Sequence, residues 1–154
     1  MFERFARAAR TAVEDARYEA ERRGDRRIGS DHLLLALLED DEVARLVGVD
    51  AAAAHDAADQ LDRTALAAIG LTLGEFQPTG RAALGRRVPL MTSGGKTVIQ
   101  QALAKAAAEK ARTITSRHLL LALLDRQEPD PVATLLAALG IDQPALRARL
   151  AATA

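Results

Sequence analysis

The sequence predicts an all-helical domain made by internal duplication, on three observations. Residues 28–38 (IGSDHLLLALL) recur as residues 114–124 (ITSRHLLLALL), with nine of eleven positions identical at an offset of 86. A match of that length is an internal repeat. Upstream, Phe5, Ala9, Val13, Ala16 and Ala20 recur at spacings of three and four, the period of one helix face. Composition agrees: alanine and leucine dominate, tryptophan and cysteine are absent, and aromatics are only 3%.

The elements follow in order. Helix one is expected over residues 3–23, stopped by Gly24. Ser30 and Ser116 are natural N-caps for the two leucine runs. Each run is apolar nearly all round, which predicts a short buried helix, and is far below the roughly 20 residues a bilayer span needs. Periodicity alone leaves a buried strand open; leucine and alanine without β-branching favour helix.

The offset of 86 carries the first stripe onto Met91, Gly95, Ile99, Ala102 and Ala106, in a helix starting after Thr92 and Ser93. A third helix is expected from Val43 to Gly48 and again from Val132 to Leu139, and a fourth over 51–62 and 143–152. A second echo, at offset 70, relates residues 64–71 (TALAAIGL) to 134–141 (TLLAALGI), as though the first half carried this last element twice. Pro78, Gly80, Gly85 and Pro89 mark a connection. Residues 1–154 therefore read as a single domain: repeat 1 with an extra helical element (1–76), a linker (77–90) and repeat 2 (91–154).

Charge and motifs bound the function. Zero formal net charge argues against nucleic-acid binding by bulk charge. The absence of cysteine removes disulfides and thiol chemistry. Arg4, Arg7 and Arg10 precede no apolar segment, so neither a secretory signal nor a membrane span is expected, and the location is taken as cytoplasmic. Residues 39–62 hold eight acids and one arginine, net −7, and residues 81–117 eight bases and one acid, net +7. These are either complementary halves of one domain or surfaces for a partner, a second copy of the chain included.

Residues 93–97 (SGGKT) imitate a phosphate-binding loop, and Leu119 to Asp125 an apolar strand ending in an acid, but Leu90 stands where that loop needs glycine. His32 and His118 lie in first turns without a second histidine one turn away, so they read as structural residues bonding across the repeat interface, not as metal ligands. His55, in an acidic, alanine-rich helix, reads as solvated. No nucleophile arrangement, catalytic carboxylate pair or cofactor motif stands out, so a non-enzyme without cofactors or metal is expected.

The opening Met1-to-Phe5 pentapeptide, the Gly29-Ser30-Asp31-His32 motif with its leucine run, and the second copy at Thr115-Ser116-Arg117-His118 resemble the Clp repeat domain. That domain leads the Clp unfoldases, here nearest the ClpC type. The resemblance implies a pseudo-twofold, all-α bundle of two Clp-type helical repeats, about eight to ten helices in all. It implies a stand-alone, non-catalytic protein- and peptide-binding domain without ATPase modules, which captures substrates or adaptors for a separate Clp ATPase–protease or competes with it.

In ClpC-type domains cyclic peptides occupy a groove that maps onto Phe2, Arg10, Val13, Met91, Lys96 and Gln100. Met91 replaces an aromatic residue there and Gln100 a glutamate. The family's paired glutamates for phosphoarginine map onto Asp31 and Arg117, the second with its charge reversed. A self-associating regulatory domain is the alternative.

Overall fold

The computed structural model describes residues 3–71 and 90–153. These form eight helices: α1 (Arg7–Arg22), α2 (Ser30–Leu37), α3 (Asp41–Val47), α4 (Ala51–Ala68), α5 (Ser93–Ala108), α6 (Ser116–Leu124), α7 (Pro131–Ala138) and α8 (Gln143–Ala152). Phe2 and all of the expected linker except Leu90 lie outside the described residues. No helix among those described is long and apolar enough to cross a membrane.

The leucine runs are helices and form the centre. Leu33, Leu34, Leu35, Leu37 and Leu38 are buried, as are Leu119, Leu120, Leu123 and Leu124. Helix α2 packs on α1, α4, α5, α6 and α7, and α6 on α1, α2, α5, α7 and α8. One apolar core runs through both repeats.

Helix one starts later than its stripe suggests. Phe5 is extended and pairs in parallel with Ile114, and Met91 pairs likewise with Ile28. The Ile114 N–H donates to the Arg4 carbonyl at 2.8 Å, and the Ala6 N–H donates to the Ile114 carbonyl at 2.9 Å. At the dyad-related place the Ile28 N–H donates to the Leu90 carbonyl at 3.0 Å, and the Thr92 N–H to the Ile28 carbonyl at 2.9 Å. The leading residues of each repeat thus clasp the other repeat, and the first member of each stripe belongs to the clasp.

Close approach at this clasp explains the glycine pair of the SGGKT stretch. Thr92 caps α5 by accepting from the Gly95 N–H at 3.0 Å. A Cβ on Gly95 would lie 2.9 Å from the Ile28 carbonyl oxygen, which the clasp holds fixed. Gly95→Ala is therefore expected to destabilise by about 1–2 kcal/mol despite alanine's better helix propensity; urea unfolding measures it.

The echo at offset 70 is a helix ending, and Thr64 to Ala68 is no separate element because α4 runs unbroken from Ala51 to Ala68. The Gly70 N–H donates to Ala67 and the Leu71 N–H to Leu66, while Gly140 and Ile141 repeat the pattern on Ala137 and Leu136. Gly70 and Gly140 carry φ of 80° and 65°, completing two Schellman caps.

Helix α5 closes in the same way with Lys110 at φ 56°, where the first repeat has Gly24 at φ 73°. A left-handed lysine is strained. Lys110→Gly is expected to raise stability by about 0.5–1 kcal/mol, read as a higher urea midpoint.

Candidate functional site

The serines of the family motif do not cap their helices. The N-cap residues are Gly29 and Thr115, already extended at ψ 174° and 169°. The histidines close the caps instead. His32 Nδ1 accepts from the Gly29 N–H at 2.8 Å, and His118 Nδ1 from the Thr115 N–H at 2.9 Å. This is the returning half of a capping box, with imidazole in place of glutamate. Each ring then carries its proton on Nε2, donating to Asp25 at 2.8 Å and to Glu109 at 3.0 Å. Both histidines bond inside their own repeats and not across the interface.

Ser30 crosses the interface. Its buried hydroxyl donates to Asp130, the N-cap of α7, whose carboxylate also accepts from the Val132 N–H at 3.1 Å and from Arg126 Nε at 2.9 Å. A Cβ on Gly94 would meet Asp130 Oδ2 at 2.6 Å, so glycine lets the carboxylate seat against α5.

The dyad-related junction is open. Ala8, Ser116 and Asp40 stand where Gly94, Ser30 and Asp130 stand in the first, and they line a cavity of about 460 Å³. The loop lengths account for the difference. Three residues join α2 to α3, whereas six join α6 to α7, and only the longer loop reaches back to plug its junction. The open cavity is lined by buried Ala12, Ala36 and Leu37, by exposed Ala8, and by the polar side chains of Arg7, Thr11, Asp15, Glu39, Asp40 and Ser116. Its apolar residues and three-to-one acidic charge suit a basic side chain with an aliphatic stem. The sequence pattern did not disclose this cavity, although unequal spacing between the leucine runs and the third helices was a readable sign.

The expected groove residues that are described differ in exposure. Arg10, Lys96 and Gln100 are exposed, Met91 is half-buried, and Val13 packs into the core at 6% exposure. Tyr18, on the same helix as Val13 and not singled out before, is 61% exposed.

Asp31 and Arg117 sit in different electrostatic settings. Asp31 is half-buried, its carboxylate curled over Gly29. Burial raises the Asp62 carboxyl against the pull of Arg23, and the charges of Asp25, Asp59 and Asp31 push it the same way. The first position thus belongs to an acidic patch around one arginine. Arg117 is occupied internally: Nη1 bonds Glu109 at 2.8 and 2.9 Å, and Nε donates to the Leu150 carbonyl of α8 at 2.6 Å. Hydrogen bonds from His118 and Arg117 hold the Glu109 carboxyl below its usual 4.5.

The ion pairs of the two charged segments stay within their own repeats among the described residues. Arg23 pairs with Asp59 and Asp62, and Lys105 with Asp125. Among the described residues, no ion pair joins the acidic and basic segments across the dyad.

Comparison with known proteins agrees with this architecture. The N-terminal domain of the caseinolytic protease-associated chaperone ClpD from Arabidopsis thaliana superposes with a TM-score of 0.73 at 20% identity, covering 99% of each chain. The Hsp104 N-terminal domain from Candida albicans gives 0.66 at 15% identity, over 96% of this chain and 89% of the other. No curated protein sequence matches. The profile of the Clp repeat (R) N-terminal domain matches residues 4–81 and 90–154, so both repeats identify this chain as a member of that family.

Proposed function

We infer that this domain is a non-catalytic capture module that holds protein segments for a Clp ATPase–protease. The family match over both repeats carries the general reading. The finer reading rests on the open junction, where a basic side chain of an extended segment lays its stem on Ala8, Ala12, Ala36 and Leu37 and its charge on Asp15, Glu39 and Asp40. Tyr18 adds an exposed aromatic contact on α1.

Filling the mouth tests this. Thr11→Trp is expected to weaken binding of a permanently unfolded, lysine- and arginine-rich model protein about tenfold, measured by fluorescence anisotropy, while leaving the unfolding midpoint within error. Unchanged affinity in Thr11→Trp and in an Asp15→Asn, Asp40→Asn double variant removes the cavity from the reading.

Phosphoarginine, if bound, is a ligand of the Asp31 position alone, because Arg117 already holds the second position with its own guanidinium. Calorimetry with a phosphoarginine peptide is then expected to give no more than one site per chain, lost in Asp31→Ala; two sites would contradict the assignment. Arg117→Gln is the informative partner variant. Arg117→Glu would set a second carboxylate beside Glu109 and release α8.

A further inference from the structure

His55 is not simply solvated: its side chain is 16% exposed and points between two carboxylates from other elements. Its Nε2 lies 3.1 Å from Oε1 of Glu39, in the α2–α3 connection, and 3.5 Å from Oε1 of Glu19, on α1. The three groups offer ligand atoms all within 4.8 Å of one another. Glu19 is 5% exposed, and its Oε2 is buried without a hydrogen-bond partner. The nearest cation, Arg22, is 4.0 Å away on a side chain that is 65% exposed. A buried carboxylate in that state calls for a compensating charge.

We propose that Glu19, Glu39 and His55 form a binding site for a divalent transition-metal ion. The spacing fits. Metal–ligand distances of about 2.0–2.2 Å at tetrahedral angles put neighbouring ligand atoms about 3.3–3.6 Å apart, and the two observed separations, 3.1 and 3.5 Å, reach that range with a shift of a few tenths of an ångström. One imidazole and two carboxylates are a borderline donor set, suited to zinc, cobalt or manganese rather than calcium. Three protein ligands leave a position for water. An ion here ties α1, the α2–α3 connection and α4 together, and it draws Glu39 from the open cavity, which it also lines. The competing arrangement is the hydrogen bond between His55 Nε2 and Glu39 without an ion.

The test uses the whole chain, freed of metal by a chelator and titrated with Zn²⁺ and Mn²⁺ in a calorimeter. One ion per chain is expected, with a thermal midpoint several degrees higher in excess metal. His55→Gln and Glu19→Gln are each expected to weaken binding at least tenfold, whereas Asp56→Asn, an exposed acid on the same helix, leaves it unchanged. Co²⁺ is expected to give visible absorption bands that disappear in His55→Gln, a readout independent of stability. Absence of saturable binding below about 1 mM, or binding and bands that survive in His55→Gln, overturns the site.

Discussion

Asp130→Ala is expected to lower the unfolding free energy by about 2–4 kcal/mol. Three losses combine. The α7 cap is removed, which typically costs about 1 kcal/mol. The Ser30 hydroxyl, 1% exposed, loses the acceptor of its proton, and an unsatisfied buried donor costs about 1–3 kcal/mol. Arg126 loses its partner on a half-buried side chain. Ser30→Ala alone should cost less, because Arg126 and the Val132 N–H still serve the carboxylate. The double variant should show at least about 1 kcal/mol of coupling in a urea-unfolding cycle. Additive effects would mean that the serine and the aspartate do not form the joint between the repeats.

His118→Ala is expected to cost about 2–3 kcal/mol and to change the acid limb of the stability curve. The ring is 2% exposed, so its removal opens a void and strips the Thr115 N–H of its acceptor. It also removes one of the two hydrogen-bonding partners that depress the Glu109 carboxyl. A carboxyl with a lowered folded pKa contributes stability that is fully present above its ordinary 4.5 and is lost as pH falls through the lower folded value. Asp125 acts in the same direction: burial pushes its carboxyl up, but bonds from Lys105 and Arg147 outweigh that and hold it below 3.8. Asp62, raised, works the opposite way. The wild type should therefore lose stability as pH falls below about 4.5, and Glu109→Gln should lose less over the same acid limb. Equal acid limbs would dismiss the histidine–glutamate pair as a source of pH dependence.

Much of the architecture was legible because the signals were local. Leucine runs and alanine stripes act within a turn or two of their own position. What was not legible depended on partners far along the chain. Phe5 and Met91 continue the helical period yet pair with Ile114 and Ile28. Ser30 has the chemistry of a cap, but Asp130, one hundred residues later, claims its hydroxyl. His55 looks solvated within α4 and meets Glu19 and Glu39 only after α1 and α2 have packed beside it. The offset-70 echo was a real signal with another meaning: glycine after an apolar helix end is the signature of a stop.

The reciprocal pairing of leader segments has one more implication. Because each half lends its first extended residues to its twin, neither owns every hydrogen bond it requires. Separately produced polypeptides spanning 1–71 and 90–154 should be poorly ordered alone, yet regain helical structure when mixed at equal concentration. The same reciprocity makes entanglement of two molecules, each borrowing the other's leader, the characteristic error of refolding at high concentration.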